Sequence, residues 1–417
     1  MPLLSRNSAF SRVTALATRR QVHAAFAWMH GNPKTIMDWQ KDLVVIPAPP
    51  FGEQARARWI SARFAEIGLR RIETDAAGNV LGWLPAAGLP PESTGPVVLL
   101  SAHLDTVFPA STPLHPIVDG ERLTCPGASD NGAGVAGMLA IARALVESGI
   151  QLPAPLVFAG NVGEEGEGDL RGVREIYASP LAGRIAAHIV LDGAGADAAV
   201  TQALGSCRFQ VTIVGPGGHS FTDACTPNPI AALASALAAL VETPLPADPR
   251  TTLNLGTIRG GTSVNSIPES AQASVDFRST DADQLLRLEV ALHGAVENAV
   301  TRFNAQAAAC EYVPRGSLAY TIERIGERPA ACLPDDAPLL ASLRAVDRHL
   351  GLRTDLRLGS TDANIPLSLG IPALSLGAGG EGGSAHTLAE WFSGRDRDLG
   401  LRRVLLLTLA TLEWAAE

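Results

Sequence analysis

The chain lacks a long apolar run, a basic stripe and any Cys-x-x-Cys pair. Each absence disfavours one class of partner or site. No uninterrupted apolar stretch reaches the roughly 18 residues that a membrane-spanning helix requires, so we expect no membrane partner. The net charge is −9, and no basic stripe carries interleaved aromatic residues. Because phosphate binding needs concentrated Lys and Arg, nucleic acid is not expected as a partner either.

Cysteines are few and dispersed in this sequence. An odd, scattered set argues against a disulfide framework and against a cysteine-built zinc site, and it fits a reducing, cytoplasmic location. The five cysteines are Cys125, Cys207, Cys225, Cys310 and Cys332. The first 37 residues contain no Asp or Glu, which is also typical of an organelle transit peptide. We favour an amphipathic opening helix, because its apolar pattern continues without a break.

The length and the order of apolar segments predict two domains. A chain of 417 residues is too long for one compact core. Val97–Ala102, Leu156–Ala159 and Ala187–Leu191 read as buried strands, and Gly134–Ser148 reads as a helix rich in Ala and Leu. Strands that alternate with helices indicate an α/β fold, with a mixed, largely parallel sheet covered by helices.

The pattern changes from Ser206 onward. The following segments predict a small α+β layer, ferredoxin-like in its order of strands and helices. Its expected elements are Cys207–Val214, Pro229–Leu240, Thr251–Ile258, Ala271–Arg278 and Asp281–Phe303. We therefore predict a discontinuous catalytic domain, residues 1–205 and 315–417, interrupted by an inserted domain at residues 206–314.

The strongest local signal lies at the end of the predicted strand that leads to Leu104. His103 and Asp105 are two residues apart, so both side chains lie on one face of an extended chain. Asp105 can hold one side of the His103 ring while the free ring nitrogen binds a metal ion. Open α/β sheets bind ligands at this carboxyl edge of their strands. Alone, the pair could equally be a surface His beside an Asp.

Four further motifs place acids or a histidine in glycine-rich loops. They contain Asp130, the adjacent Glu164 and Glu165, Asp192 and His386. Adjacent carboxylates repel each other unless cations or shared protons relieve them, so one of the two glutamates can bind metal while the other accepts a proton. Each motif alone could be a solvated loop.

Together these motifs predict two divalent cations, most consistent with zinc. Two histidines and three acids, one of them bridging, suit a pair of borderline-soft cations. A serine hydrolase is disfavoured because no Gly-x-Ser-x-Gly elbow occurs, and a His-Glu-x-x-His helix is also absent.

The ordered motifs resemble those of the M20 family of metallopeptidases. The resemblance runs from about Ile46 to His386 and implies a zinc-peptidase-like fold. It implies that Asp130 bridges two metal ions and is followed by a cis peptide bond. By the same resemblance, one site is completed by His103 and Asp192, and the other by Glu165 and His386. Glu164 is the implied general base, and Asp105 the partner of His103.

The inserted segment resembles the lid or dimerisation domain of that family. Gly217–Ser220 matches a motif whose histidine, here His219, reaches the active site of the neighbouring subunit in dimeric members. Asn265 and Arg278 match substrate-contacting positions. The alternatives from the residues alone are a turn histidine for His219 and a salt bridge for Arg278. The resemblance thus implies a homodimer.

Three further stretches are most similar to the tripeptide-aminopeptidase side of the family. These are Ile46–Glu53, Asp75–Val80 and Ile325–Pro329. We therefore predict a di- or tripeptidase, aminopeptidase-like, that attacks the peptide bond of small peptides with a metal-activated water. An N-acyl amino acid deacylase or a glutamate-type carboxypeptidase is the enzymatic alternative. The non-enzymatic alternative is an inactive metal-binding scaffold of the same fold.

Overall fold

A computed structural model of the chain describes residues 6–88, 94–311, 315–353 and 355–417. The chain divides into two compact units, of which the first comprises Met1–Ala203 and Cys332–Glu417 and the second Leu204–Ala331. The second unit is longer than the predicted insertion, whose end at residue 314 lies outside the described residues. The difference arises because a further strand after that point pairs with the sheet of the second unit.

The α-helices begin and end at the following residues. They are α1 Arg6–Ala17, α2 Arg20–Gly31, α3 Pro33–Val44, α4 Gln54–Ile67, α5 Gly132–Ser148, α6 Arg171–Ala178, α7 Pro229–Val241, α8 Ala282–Ala308, α9 Pro338–Leu350, α10 Asn364–Ser368 and α11 Arg397–Ala415. No helix within the described ranges is both long enough and apolar enough to cross a membrane.

The β-strands have the following bounds. They are β1 Arg70–Thr74, β2 Val80–Leu84, β3 Val97–His103, β4 Ile117–Asp119, β5 Arg122–Thr124, β6 Leu156–Asn161, β7 Ile185–Leu191, β8 Ala198–Ala203, β9 Gly205–Val214, β10 Gly218–His219, β11 Thr251–Gly260, β12 Ser266–Ile267, β13 Ser270–Ser279, β14 Ala319–Arg328, β15 Ala331–Cys332, β16 Asp355–Gly359, β17 Ala373–Leu376, β18 Glu381–Gly383 and β19 Trp391–Ser393.

The large sheet of the first unit is mixed and largely parallel, as predicted. Its strands follow the order β1-β2-β6-β3-β7-β17-β8-β15, and β16 pairs with β8. Strand β3 runs parallel to both β6 and β7, and β17 runs parallel to β7. Both β3 and β6 are buried along their whole length, which explains their continuous apolar sequences. The carboxyl ends of these parallel strands therefore meet at one edge of the sheet.

Helix α5 covers the centre of this sheet and begins next to that edge. The side chain of Asn131 caps it by accepting a hydrogen bond from the backbone N–H of Gly134. The helix is buried through most of its length, which its small and aliphatic residues permit. It ends at Gly149, whose φ of 63° is a left-handed conformation that favours glycine.

The opening helices belong to the first unit. Val13 and Leu16 of α1 are buried, as is Val22 of α2. Helix α1 packs against α9 and α11, and α2 packs against α5. This apolar face confirms the expected amphipathic character of the opening segment.

The second unit is a four-stranded antiparallel sheet with two helices. Its strands lie in the order β11-β13-β9-β14, with α7 and α8 packed together against them. Strand β13 alternates between buried and more exposed residues, as a strand with one covered face should. Phe209 and Phe277 lie in the core between sheet and helices, where each buried ring contributes about 1.5–3 kcal/mol. The order of elements is the predicted ferredoxin-like one.

One cysteine pair departs from the expectation of no disulfide. Cys225 and Cys310, both in the second unit, form a disulfide with their Cα atoms 5.9 Å apart. They are separated by 85 residues, so sequence spacing gave no sign of the pairing. Cys125, Cys207 and Cys332 are not disulfide-bonded.

Candidate metal centre

Loops and strand ends bring the predicted metal ligands of the first unit together. His103 is the last residue of β3, Asp192 directly follows β7, and Glu165 lies in the loop after β6. Asp130 precedes α5, and His386 follows β18. The parallel strands β3, β6 and β7 are neighbours, so three of these five side chains reach the same edge through the topology of the sheet.

Asp130 lies between the two histidines. Its Oδ1 is 3.1 Å from Nε2 of His103, and its Oδ2 is 3.0 Å from Nε2 of His386. Asp192 completes the first group, with Oδ1 3.8 Å from Nε2 of His103. Glu165 completes the second, with Oε1 3.1 Å from Nε2 of His386. Each oxygen of Asp130 therefore faces a different set of metal-binding atoms.

The predicted general base lies beside the same ligands. Ligand atoms of His103, Glu164 and Glu165 lie within 4.8 Å of one another. The same limit holds for His103, Asp130 and Asp192, and for Asp130, Glu165 and His386. Glu164 is 5% exposed, so its carboxylate is largely removed from bulk solvent.

Several charged groups share this small volume, and their pKa values shift accordingly. Hydrogen bonding to Asp130 raises the pKa of His386 to about 9. Burial, followed by the nearby charge of Asp130, raises the pKa of Glu165 to about 7. Burial opposes the charged form of His103, yet the surrounding carboxylates keep its pKa well above the ordinary value. The cluster therefore binds protons that a divalent cation would displace.

Asp105 connects the histidine of β3 to the loop of the two glutamates. Its Oδ1 accepts a hydrogen bond from the backbone N–H of Glu164 at 3.0 Å, and its Oδ2 accepts one from Glu165 at 2.8 Å. Nδ1 of His103 lies 3.1 Å from the backbone carbonyl of Asp105 and 3.5 Å from its Oδ1. These contacts orient the His103 ring and leave its Nε2 directed at Asp130.

The peptide bond between Asp130 and Asn131 is cis, as the family resemblance implied. The amide of Asn131 is 1% exposed and ties this loop to the end of β7. Its Nδ2 donates to the carbonyl of Leu191, and its Oδ1 accepts from the backbone N–H groups of Gly134 and Gly193. A Cβ at Gly134 would meet the carbonyl of Leu191 at 2.7 Å, so the close approach requires glycine. Asn131 therefore links the two loops that carry Asp130 and Asp192.

Sequence reasoning missed Glu390, which is 0% exposed. Its carboxylate accepts hydrogen bonds from the backbone N–H groups of Gly127, Ser129 and Asp130, at 2.9, 2.8 and 2.7 Å. The only signal in the sequence is its position four residues after His386. An acidic side chain in a polar loop is ordinarily expected to be exposed to solvent.

Sequence reasoning also missed Asp362, a buried acid behind the centre. Its Oδ2 accepts a hydrogen bond from Nδ2 of Asn161 at 2.6 Å, at the end of β6. Burial raises its pKa to about 6. It follows β16 in a stretch with no glycine-rich motif, which is why the sequence did not indicate it.

His386 lies in a backbone conformation that side chains seldom adopt. Its φ is 63°, and that of Ser384 is 56°. Such conformations cost about 1–3 kcal/mol each and persist where surrounding contacts enforce them. The His386 side chain is 53% exposed, against 1% for His103. His386 is therefore open to solvent and His103 is not.

Two predicted residues of the second unit lie close together. Strand β10 ends with His219, which pairs with Ser266 of β12. Nδ1 of His219 accepts hydrogen bonds from the backbone N–H groups of Phe221 and Thr222, at 3.2 and 3.4 Å. The carbonyl of Asn265 accepts from the N–H of Ser220 at 3.0 Å, which joins the two loops.

Arg278 lies elsewhere in the second unit. It is the ninth residue of β13, and its Nε donates to Oδ2 of Asp276 at 2.8 Å. Ser270 begins the same strand four residues after Ser266, and the chain rises about 3.3 Å per residue, so Arg278 is about 26 Å along the strand from Ser270. The structure thus brings His219 and Asn265 together and leaves Arg278 near the other end of the sheet.

The chemistry of the ligand set fits divalent metal ions. Imidazole nitrogens and carboxylate oxygens are the donors that zinc and related cations bind. Three carboxylates that converge in a largely buried site repel one another, and positive charge relieves that repulsion. The side chains of His103, Asp130, Glu165, Asp192 and His386 would hold such ions.

The chain is similar to several known proteins in sequence and in fold. An uncharacterised protein of Bacillus subtilis, YqjE, is 23% identical over 86% of this chain and 93% of its own length. A probable carboxypeptidase of Aspergillus clavatus is 30% identical over 59% of this chain and 58% of its own length. The crystal structure of a tripeptidase from Staphylococcus aureus superposes with a TM-score of 0.70 and 22% identity, covering 92% of this chain and 99% of that one.

A family-wide sequence model settles the relationship. The model for peptidase family M20/M25/M40 matches residues 99–411, which include every proposed ligand from His103 to His386. The match extends over most of the chain and through both units. The chain therefore belongs to peptidase family M20/M25/M40 and is a hydrolase of peptide or amide bonds.

Proposed function

We propose that the chain is a two-metal, zinc-dependent peptidase that cleaves small peptides, with Glu164 as its general base. The observation that carries the proposal is the position of Asp130, whose two oxygens face His103 and His386 at 3.1 and 3.0 Å. A carboxylate placed in this way can serve two cations at once. Asp192 and Glu165 then complete one ligand set each.

Glu164 is the residue assigned to proton transfer. When bound, the two ions supply Lewis acidity, which lowers the pKa of water from 15.7 to about 7 and polarises the scissile carbonyl. Glu164 accepts a proton from the attacking water and returns it to the leaving amine. Its backbone N–H is held by Asp105 at 3.0 Å, so its place beside His103 is set by the same acid that orients that ring.

His219 is proposed to stabilise the negative charge that develops on the scissile carbonyl oxygen. Its Nδ1 accepts two backbone hydrogen bonds, so in the neutral ring the proton lies on Nε2. Nε2 is then a hydrogen-bond donor, as an oxyanion requires. Asn265 lies beside it and is proposed to contact the same substrate.

We propose that the protein works as a homodimer joined through its second units. His219 and Arg278 lie near opposite ends of one sheet, so a single second unit does not offer both at one metal centre. A second copy supplies the missing residue. Strand β11 suits this role, because it is an edge strand of the sheet and most of its residues are exposed, including Leu255 and Ile258.

Small peptides are the proposed substrates. The sequence stretches that resemble tripeptide aminopeptidases support this choice, and so does the structural similarity to a tripeptidase. A carboxypeptidase or an N-acyl amino acid deacylase is the second candidate. It is favoured by Arg278, whose guanidinium could hold a substrate carboxylate, and by the relative named a probable carboxypeptidase. The cytoplasmic location predicted from cysteine content loses that support, because Cys225 and Cys310 form a disulfide.

A substrate panel tests the proposal. The zinc-loaded protein is incubated with di- and tripeptides whose amino or carboxyl terminus is free or blocked, and with N-acyl amino acids. We expect release of amino acids from peptides with a free amino terminus, and loss of activity on chelation that zinc restores. Turnover of N-acyl amino acids alone would favour the second candidate. No turnover of any compound with two bound ions present would refute the peptidase proposal.

A further inference from the structure

The loop that carries Asp130 has its backbone held by one buried side chain. Glu390 accepts hydrogen bonds from Gly127 through Oε2 and from Ser129 and Asp130 through Oε1. The three donor–acceptor distances lie between 2.7 and 2.9 Å, which is the range of charge-assisted hydrogen bonds. A single carboxylate therefore fixes three of the four N–H groups from Gly127 to Asp130.

One of the three hydrogen bonds to Glu390 comes from Asp130, the proposed bridging residue. The N–H of Asp130 makes the shortest of the three bonds, so its main chain cannot shift without breaking it. The side chain of the same residue must reach His103 and His386 simultaneously, at 3.1 and 3.0 Å. Because one carboxylate makes both approaches, a displacement of this loop changes both distances.

Glu390 is also connected to the second ligand group. It follows His386 by four residues, and its backbone carbonyl accepts a hydrogen bond from the N–H of Cys125 at 3.0 Å. The segment from His386 to Glu390 thus supplies a ligand and also holds the loop of Asp130. The opposite side of that loop is held by Gln40, whose Nε2 donates to the carbonyl of Ala128 at 2.5 Å.

The hydrogen-bond donors of the loop match a side chain with two acceptor oxygens. Glu390 is fully buried, and both of its oxygens accept from backbone N–H groups. A glutamine of the same shape would place its amide donor against the N–H of Gly127. The geometry of the loop therefore distinguishes glutamate from glutamine at this position.

We propose that Glu390 is a positioning residue for the metal centre, which holds Asp130 where both ions can share it. It does not touch substrate or metal, and it acts through the backbone of the Gly127–Asp130 loop. The inference rests on the proposed two-metal function. It predicts that the Glu390 carboxylate contributes to the affinity of the protein for metal ions.

Metal affinity in variants of the full chain tests this role. Zinc affinity is measured by competition with a chromophoric chelator, and the cobalt-substituted protein gives a visible absorption spectrum. We expect Glu390→Gln to weaken zinc binding by about 10–100-fold and to alter the cobalt spectrum, because partners that orient metal ligands have effects of this size. Glu390→Asp, which keeps the charge, should recover part of the affinity.

A matched control separates positioning from general stability. Asp347 is as deeply buried as Glu390, and it pairs with Arg403 at 2.6 and 2.8 Å in the first unit, away from the ligand loops. Asp347→Asn should lower the melting temperature of the metal-free protein and leave zinc affinity within about twofold. A merely structural role for Glu390 predicts that its variants follow this control.

The outcomes are distinct. Wild-type zinc affinity and an unchanged cobalt spectrum in Glu390→Gln overturn the inference. If that variant does not fold, Glu390→Asp decides, with a loss of at least a few-fold expected and none contradicting the role. Failure of the unaltered protein to bind two ions would instead refute the proposed function.

Discussion

The two units hold their candidate residues in different ways. In the first unit, five ligands from distant parts of the chain converge, and parallel strands of one sheet deliver three of them to one edge. In the second unit, His219 and Arg278 lie near opposite ends of an antiparallel sheet, and no described contact joins them. The proposed function assigns a complete metal site to the first unit and separate substrate contacts to the second. Substitutions in the two units should therefore differ in their effects on turnover, KM and stability.

The largest effect is expected in the first unit, from Glu164→Ala. Loss of a general base lowers turnover by about 10²–10⁴-fold. Metal content should remain at two ions per chain, because the proposed ligands are unchanged. Steady-state kinetics and elemental analysis of the same preparation check this. Normal turnover would exclude Glu164 as the base.

His219→Ala should give the strongest effect from the second unit. Loss of an oxyanion donor costs about 10²–10³-fold in kcat, and metal content should not change. Mixing this variant with Glu164→Ala sharpens the test. In a mixed dimer, one metal centre keeps its own Glu164 and receives the intact His219 of the other copy. Recovery of activity on subunit exchange is expected, and its absence together with a monomeric, active wild type would contradict delivery from a partner.

His188 should contribute an acid-sensitive part of the stability of the first unit. His188 is fully buried, hydrogen-bonded to Ser101 and to Tyr177, and burial lowers its pKa from 6.5 to about 3. The unfolded chain binds the proton more tightly, so this stabilisation is complete above pH 6.5 and is lost as the pH falls toward 3. The expected loss is about 2 kcal/mol at pH 5. The two histidines of the second unit, His219 and His293, are exposed.

Denaturant unfolding of the wild type and of His188→Asn at pH 7 and pH 5 checks this contribution. Hydrogen exchange of β3 follows the first unit. Replacing His188 with Asn should reduce the stability of the first unit at pH 7 and remove the share of the acid response that His188 supplies. The same change in unfolding free energy between the two pH values in wild type and variant would show that His188 is not the cause.

The smallest predicted effect is that of Arg278→Ala. A charge-assisted contact to substrate is worth about 1.5 kcal/mol, so we expect KM to rise about tenfold with little change in kcat. Its existing bond to Asp276 makes Asp276→Asn a useful control, which should leave KM nearly unchanged. An unchanged KM in Arg278→Ala would assign the residue to a salt bridge alone.

Sequence predicted those parts of the molecule that depend on local patterns. The buried strands, the Asp130 loop and the order of the inserted unit followed from apolar runs, glycines and alternation. The role of Asp130 between His103 and His386 came from the family resemblance, because His386 is 256 residues away and spacing alone could not connect them.

Other parts depend on contacts that no local pattern encodes. Glu390 resembles any acid of a polar loop until its three backbone donors are visible. Cys225 and Cys310 meet only because α8 returns the chain to the loop before α7. The sequence likewise did not indicate where the second unit ends, because β14 joins its sheet only by pairing with β9.

The most direct test of the account is metal stoichiometry in the wild type and in Asp130→Ala. The account predicts two tightly bound divalent ions per chain in the wild type. In Asp130→Ala it predicts loss of affinity at both positions, because each oxygen of Asp130 faces a different ligand group. Two ions retained with wild-type affinity in Asp130→Ala, or a single ion in the wild type, would contradict a shared bridging acid.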